Sequence, residues 1–380
     1  MKRGSRAHEQ QSSHEYELAC GVRMLTSLLV TMATGSVARV ALVTGGTKGI
    51  GLGIARGLGE ANYRVHLTGR TAHGPTGSLE AAASAVRAAG GEAVVHQCDH
   101  SNPSAIQALF DEVLKMEPDG IDLCVHAMMQ TQACAAHTLL IIPCRIAVRR
   151  LVNNVYPAVD ILGDTLRSGK TKFWQLPATS FADVNDVGLT AHYTASAIYA
   201  KAMVPKGRGL IIQVSSPGGL FYFFTAAYST GKAALDRMTT DLAHELRGTG
   251  LGCVGLYPGM VATEKFEAFA KEGVAGITTQ ALEATGETPL YSGRAVAKLA
   301  EDAFSSAARL EALSGTIQWT AEVAVAHDIK DEKGRQPLSS RSLRRVTGLD
   351  FLPASWVVPW FVLRFLSPKY PSTKTVKGEL

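Results

Sequence analysis

The sequence lacks three features that would place it outside the ordinary globular proteins. It has no unbroken apolar run of the about 18 residues that a bilayer-spanning helix needs. Its six cysteines form no CxxC pair, which argues against a zinc ribbon or a disulfide scaffold and predicts reduced thiols. Its 38 Lys and Arg residues form no dense tract interleaved with aromatics, so nucleic acid is not predicted as a partner.

The composition is that of a globular chain. Hydrophobic residues make up 46% of the 380 positions and charged residues 19%, which is enough to bury the core of one large domain or two smaller ones. Residues 1–36 precede the first regular pattern, and we predict a disordered N-terminal extension there. Glu9, Glu15 and Glu17 argue against a targeting peptide, and an alternative start of translation is Met32.

Between residues 37 and 321, short β-branched segments alternate with helical patterns. ARVALVTG, YRVHLTGR, EAVVHQCD and GLIIQVSS are typical of buried strands, whereas SLEAAASAVRAAG and PSAIQALFDEVLKM are typical of helices. This alternation predicts βαβ units with right-handed crossovers. The predicted fold class is therefore α/β, a Rossmann-type doubly wound parallel sheet in three layers, followed by a short apolar C-terminal extension over residues 322–380.

Residues 125–151 break this alternation at the end of the fourth strand. Joining IDLC directly to VNN would restore a regular strand and its loop, so we predict an insertion over these residues. It is either a real loop, an extra helix or the translation of an unspliced intron. We favour the last, because a structureless loop of this length is uncommon in a compact domain.

The C-terminal extension contains the apolar, Trp-rich stretch FLPASWVVPWFVLRFL. Pro353 and Pro359 interrupt it, and it is too short to span a bilayer. Two interpretations stay open. The stretch lies on a membrane surface or a partner, or it covers the core of its own domain.

A glycine-rich segment, TGGTKGIG, joins the first predicted strand to the first predicted helix. In such a turn, backbone N–H groups at the positive end of the helix approach a pyrophosphate. The glycine spacing differs from the commoner GxGxxG, but the position in the chain is right for a dinucleotide site. The residues predicted to hold the phosphates are Gly45, Thr47, Lys48, Gly49 and Gly51.

The end of the second strand indicates which dinucleotide binds. Arg70 occupies the place where NAD-binding proteins usually carry Asp or Glu, and Lys48 lies in the glycine turn. Two cations there suit a 2′-phosphate, which predicts NADP(H) as the cofactor. Asp99, after the third strand, is predicted to meet the adenine. The neighbouring His96, Cys98 and His100 resemble a metal triplet, but a buried strand end accounts for them, and no metal is predicted.

The segment YSTGK places Tyr228 and Lys232 on one face of a helix, twelve residues after Ser216 at the end of a buried strand. A phenol is a poor acid near neutral pH unless its pKa falls, and we expect the lysine ammonium to lower the pKa of Tyr228. The serine hydroxyl can hydrogen-bond a substrate carbonyl. A second pair at this spacing, Tyr370 and Lys374, has Pro371 between its members and no strand before it.

Taken together, TGGTKGIG, NNVY, YSTGK and YPGMVATE resemble the short-chain dehydrogenase/reductase family over about residues 38–320. The resemblance implies hydride transfer between NADP(H) and a carbonyl or alcohol, with Ser216, Tyr228 and Lys232 catalytic. It also implies that Tyr228 and Lys232 contact the cofactor. Further cofactor contacts implied by the resemblance are Ile50, Asn153, Pro258, Gly259, Val261 and Thr263.

Two departures from the family pattern bear on activity. NNVY stands where the family usually has NNAG, and Gly188 stands where the family's fourth catalytic residue, an asparagine, is usual. The proton relay through that asparagine must then run through another group, for which Asn185 is the candidate, or be weaker.

The predicted function is NADP(H)-dependent reduction of ketones or aldehydes to alcohols, with steroids and xenobiotics among the substrates left open. The alternatives are a catalytically silent NADP-binding protein at a membrane surface and a non-redox epimerase. Residues 265–291 are expected to form a substrate lid. The predicted partners are a small-molecule carbonyl or alcohol, a peripheral membrane contact through the apolar extension, and a second copy of the chain. The resemblance predicts a cytoplasmic location, with the cytosolic face of the endoplasmic reticulum fitting the apolar extension.

Overall fold

The protein is described by a computed structural model covering residues 38–127, 167, 172–274, 277–343, 353 and 355–359. The described residues from Arg39 onward belong to one compact unit built on a seven-stranded parallel sheet. Its strands are β1 Val40–Thr44, β2 Arg64–Gly69, β3 Glu92–Gln97, β4 Leu123–His126, β5 Gly209–Val214, β6 Leu251–Tyr257 and β7 Ile317–Trp319.

Helices cover both faces of this sheet. They are α1 Gly49–Glu60, α2 Leu79–Ala88, α3 Pro103–Met116, α4 Ser180–Asn185, α5 Ala191–Met203, α6 Ala226–Glu245, α7 Glu264–Glu272, α8 Thr279–Thr285, α9 Pro289–Ala303, α10 Ala307–Leu313 and α11 Thr320–Ala326. A π-helical turn, Asp186–Thr190, joins α4 to α5. No helix in these described ranges is both long enough and apolar enough to cross a bilayer.

The strand order, β3-β2-β1-β4-β5-β6-β7, reverses direction beside β1. This doubly wound order confirms the predicted fold, and it opens a crevice at the carboxyl ends of β1 and β4, where ligands of such folds bind. The central strands β1, β4, β5 and β6 are buried along their whole length. Their β-branched and leucine side chains fill two apolar layers, one on each face of the sheet.

Helices α1 and α9 cross at glycines, and this contact brings their backbones unusually close. A methyl group on Gly53 would lie 2.0 Å from the carbonyl oxygen of Pro289, and one on Gly57 would lie 2.3 Å from the carbonyl carbon of Gly293. Glycine is therefore required here for packing. The close contact holds α1, which follows the glycine turn, against α9.

The first two residues of the predicted insertion belong to the sheet. Val125 and His126 lie within β4, where they pair with Val43 and Thr44 of β1 and continue the strand. Hydrogen bonding between neighbouring strands includes these two residues in the sheet. Joining IDLC to VNN in the sequence takes no account of such pairing. The remainder of the segment, after Ala127, lies outside the described residues.

The domain boundary predicted after residue 321 falls inside helix α11. Ala321, Val323 and Ala324 are buried in the main apolar cluster. Farther on, Arg341 makes a two-pronged ion pair with Glu322. Of the apolar stretch, Val358 is buried, and its N–H donates to the carbonyl of Arg341 at 2.8 Å. These described parts of the extension therefore pack on their own domain.

Candidate active site

The glycine turn after β1 has the shape that a phosphate cradle needs. Gly45 and Gly49 have φ angles of +70° and +50°, which favour glycine. A methyl group on Gly51 would lie 2.2 Å from the carbonyl oxygen of Gly45, so the turn closes only with glycine there. No side chain caps the start of α1, whose first N–H groups follow directly on the turn. A pyrophosphate fits this arrangement.

Side chains around this turn hold it to the end of β2. The N–H of Gly45 donates to the hydroxyl of Thr68 at 3.2 Å. The methyl group of Thr47 lies over Gly69, since a Cβ on that glycine would come within 2.4 Å of it. Ile50 packs against the main apolar cluster. The predicted phosphate-binding segment is thus anchored from both sides.

The residues predicted for the 2′-phosphate end lie at the edge formed by β2 and the loop before α2. Arg70 follows the last residue of β2 and is half-buried. The side chain of Lys48 lies over Gly77 of that loop, because a Cβ on Gly77 would come within 1.7 Å of Lys48 Cε. Asp99 lies after β3 at the same sheet edge, exposed, and its Oδ1 accepts from the N–H and hydroxyl of Ser101. The structure therefore brings both predicted cations and the predicted adenine contact to the carboxyl edge of the sheet.

The segment YPGMVATE follows β6 and returns towards the glycine turn. Pro258 and Val261 are buried, and Val261 forms a β-bridge with Glu287. Thr263 caps α7 by accepting the N–H of Phe266 at 3.4 Å, and its methyl group would lie 3.2 Å from a Cβ placed on Gly49. The predicted nicotinamide-end residues thus border the predicted phosphate turn. Asn153 lies outside the described residues.

Ser216, Tyr228 and Lys232 come together at the carboxyl end of β5. Ser216 follows β5 and hydrogen-bonds the phenol of Tyr228, which is buried on the first turn of α6. Thr225 begins that helix by accepting the N–H of Tyr228 at 3.2 Å. One turn later, Lys232 is 4% exposed, and its Nζ donates to the carbonyl of Val214 at 3.1 Å.

The expected lowering of the Tyr228 pKa is wrong for this structure. Burial raises the pKa of Tyr228 to about 12, while the hydrogen bond from Ser216 opposes the rise. Burial likewise lowers the pKa of Lys232 to about 8. The phenol therefore keeps its proton at neutral pH, which suits a proton donor, and the lysine is poised near its own titration point.

Asp236 is a neighbour that sequence reasoning missed. Its Oδ1 accepts the Ser215 hydroxyl at 2.6 Å, and its Oδ2 accepts the Tyr257 hydroxyl. Burial raises the pKa of this carboxyl to about 6, and its charge raises the pKa of Lys232. Asp236 lies four residues after Lys232, so the same helical spacing that selects Tyr228 and Lys232 would have found it.

Gly188 lies beside Tyr228 and Lys232, the residues predicted to be catalytic. It belongs to the π-helical turn, and a Cβ on it would have no atom within 4 Å. Asn185, the candidate for the rerouted relay, is buried and donates from Nδ2 to the carbonyls of Phe181 and Ala227. A cavity of about 10 Å³, enough for one water, is lined by Val184, Asn185, Gly188, Tyr228, Gly231 and Lys232.

The histidines near β3 are occupied by neighbouring side chains. His96 contacts His66 at 2.9 Å, and His100 contacts the hydroxyl of Thr68 at 2.7 Å. Burial raises the pKa of Cys98 to about 12, which keeps this thiol protonated. Across the described stretches of chain, no group of three or more His, Cys, Asp or Glu side chains is arranged to hold a metal ion.

Known proteins resemble this chain over most of its length. Residues 39–140 and 144–273 match the family model described as short chain dehydrogenase. The chain is 35% identical over 352 residues to human dehydrogenase/reductase SDR family member 1, covering 89% of this chain and 100% of the relative. It is 34% identical over 345 residues to the mouse protein of the same name, covering 87% and 98%.

Solved structures share the fold. The crystal structure of a 3-oxoacyl-(acyl-carrier protein) reductase from Brucella melitensis superposes with a TM-score of 0.54 at 23% identity, covering 75% of this chain and 96% of that one. At this level of identity the likeness concerns the fold alone.

Proposed function

The chain belongs to the short-chain dehydrogenase/reductase family, and on that premise we propose that it is an NADP(H)-dependent reductase of ketones and aldehydes. The observation that carries the proposal is the hydrogen bond between Ser216 and Tyr228, with Lys232 buried one helical turn away. These three groups meet at the carboxyl end of β5, beside a glycine turn that fits a dinucleotide pyrophosphate.

Each side chain has a separate task in this proposal. Ser216 donates a hydrogen bond to the substrate carbonyl and so fixes its oxygen beside the Tyr228 phenol. Tyr228, whose pKa of about 12 keeps it protonated, delivers the proton to that oxygen. Lys232 supplies a positive charge that stabilises the phenolate left on Tyr228 after the proton is transferred, and with the cofactor bound its ammonium would be the group to hold the ribose hydroxyls. The bound dinucleotide supplies the hydride.

The preference for NADP(H) is supported by charge. Lys48 directly precedes α1 and Arg70 directly follows β2, the two places from which cations reach a ribose 2′-phosphate. Neither position holds a carboxylate, which an NAD-specific site would use on the 2′-hydroxyl. We therefore expect NADPH to bind more tightly than NADH.

A catalytically silent NADP-binding protein is the second candidate, favoured by Gly188 in the place of a catalytic asparagine. The two functions differ in one measurement. A reductase consumes NADPH with a carbonyl substrate, whereas the silent protein binds NADPH and consumes none.

The test is titration of the purified chain with NADPH and NADH by nicotinamide fluorescence, followed by loss of NADPH absorbance with a panel of carbonyls. Tyr228→Phe keeps the ring and removes the proton, so it should retain NADPH binding and lose about 100-fold or more in kcat. Turnover that survives in Tyr228→Phe would overturn the assignment of Tyr228. Absence of NADPH binding would overturn the enzyme proposal itself.

A further inference from the structure

Residues 331–335, which follow α11, form a tight turn that fixes one guanidinium in place and is here called the arginine turn. Asp331 is 3% exposed, and its Oδ2 lies 2.9 Å from Nε and 2.7 Å from Nη2 of Arg335. Its Oδ1 accepts the N–H groups of Lys333 and Arg335 at 2.9 and 2.8 Å. The N–H of Asp331 donates to the carbonyl of Arg335 at 2.8 Å and closes the turn. A buried carboxylate thus orients the planar fork of Arg335 towards a second element.

The second element is the carboxyl end of α8 together with the residues that follow it. Nη1 of Arg335 donates to the carbonyl of Glu283, and Nη2 donates to the carbonyl of Gly286 at 3.3 Å. Carbonyls in the last turn of a helix lack partners within the helix, and a cation is favoured at this end. The neighbouring Glu332 accepts the hydroxyl of Thr288. The arginine turn therefore binds both ends of the connector, the three residues from Gly286 to Thr288 that join α8 to α9.

The middle of the connector is bonded to the segment predicted to hold the nicotinamide. The N–H of Glu287 donates to the carbonyl of Met260 at 2.8 Å, and the N–H of Ala262 donates to the carbonyl of Glu287 at 2.8 Å. These two bonds accompany the β-bridge between Val261 and Glu287. Thr263, next in the chain, lies against the glycine turn. The position of the connector therefore sets the position of the main chain at the predicted nicotinamide end.

Resting on the proposed NADP(H)-dependent activity, we infer that Arg335 is a positioning residue for the nicotinamide end of the cofactor site. It acts through the connector, which is bound on one side by the arginine turn and on the other by the main chain of Met260 and Ala262. Removing the guanidinium leaves the buried Asp331 carboxylate without its ion pair, a costly state that the arginine turn relieves by rearranging. The connector then loses its fixed partner, and the segment that leads into Thr263 shifts with it.

Hydrogen exchange tests this inference without any cofactor. We expect the amides of Ala262 and Glu287 to exchange about tenfold faster in Arg335→Ala than in wild type, relative to the amides of β5, because losing charge-assisted hydrogen bonds lowers local stability. Arg341→Ala is the matched control, since Arg341 makes a two-pronged ion pair in the same extension but pairs with Glu322 of α11. An unchanged ratio in Arg335→Ala, or an equal rise in Arg341→Ala, would overturn the inference.

Titration with NADPH and NADH gives a second readout. Because both dinucleotides share the nicotinamide, their dissociation constants should rise by the same factor, about tenfold, in Arg335→Ala and stay at the wild-type values in Arg341→Ala. Unchanged constants in Arg335→Ala, or a rise confined to NADPH, would overturn the inference. If wild type binds neither dinucleotide, the proposed function fails, and the exchange ratio alone decides whether Arg335 positions the segment. If Arg335→Ala does not fold, Glu332→Ala removes the contact with Thr288 and is judged by the same two measurements.

Discussion

Replacing Asp236 with asparagine removes a negative charge one helical turn beyond Lys232, and we expect the pH dependence of reduction to move as a result. The Asp236 carboxylate is held beside the segment Ser215–Gly219, which follows β5. It accepts the hydroxyls of Ser215 and Tyr257, and a Cβ on Gly219 would lie 2.0 Å from its Oδ2. Asparagine preserves the shape and one acceptor, so the change is mainly one of charge.

The magnitude follows from the separation of the two charges. Groups at positions i and i+4 of a helix are about 6 Å apart. At an effective dielectric constant of about 20, they interact by about 3 kcal/mol, which is about two pKa units. Because Asp236 is only half-buried, solvent screening reduces this interaction energy. We therefore expect the pKa of Lys232 to fall by about one to two units in Asp236→Asn.

The sign is set by the lysine. Burial lowers the pKa of Lys232 to about 8, and the charge of Asp236 keeps it from falling further. Without it the lysine loses its proton at lower pH, and the alkaline fall in kcat/KM moves to lower pH. The other titratable groups facing this site, Tyr228 and Tyr257, have raised pKa values and stay protonated across the range.

The assay is kcat/KM with saturating NADPH between about pH 6 and pH 10, where lysine and phenol titrations separate. Asp241→Asn is the control, because Asp241 lies on the same helix, is exposed, and pairs with Arg237. An alkaline limb that stays in place in Asp236→Asn, or that moves upward, would refute the electrostatic role of Asp236. A lower rate with an unchanged profile would leave it a structural residue only.

Three further outcomes are expected. Gly77→Ala displaces the Lys48 side chain and should raise the KM for NADPH about tenfold while leaving that for NADH unchanged, by loss of a charge-assisted contact. Gly57→Ala overpacks the crossing of α1 and α9 and should lower the free energy of unfolding by about 1–3 kcal/mol in denaturant titrations. As the pH rises from about 4 to about 6, wild type should lose about 2–3 kcal/mol of stability relative to Asp236→Asn. The folded-state pKa of Asp236 is raised to about 6, so the folded protein keeps this proton at a pH where the unfolded chain has released it, and the stabilisation is lost as the proton leaves.

Controls for the glycine variants come from glycines in open space. Gly90→Ala has the same kind of positive φ, +99°, but no atom near its Cβ, so it should not change the preference between cofactors. Gly188→Ala also meets no atom within 4 Å and should keep the stability that Gly57→Ala loses. Equal effects in control and test variants would contradict the packing argument.

Part of the fold and site follows from local sequence alone. The strand and helix pattern of residues 37–321 predicted the parallel sheet, because alternation of buried strands with helices permits few other folds. The glycine turn and the Tyr228 to Lys232 spacing predicted where the phosphates and the proton donor would lie. Both are short-range patterns, in which each residue's meaning depends on neighbours within one turn or one strand.

The rest was decided by contacts between distant segments. Strand pairing placed Val125 and His126 in β4, and packing on α9 placed α11 in the core. The direction of the Tyr228 pKa shift depends on how deeply the folded chain buries the phenol, which no spacing in the sequence expresses. Local sequence therefore determined which groups are present and on which element. Only the tertiary structure decided their burial and their neighbours, because desolvation and charge interactions act through space between elements that are far apart in the chain.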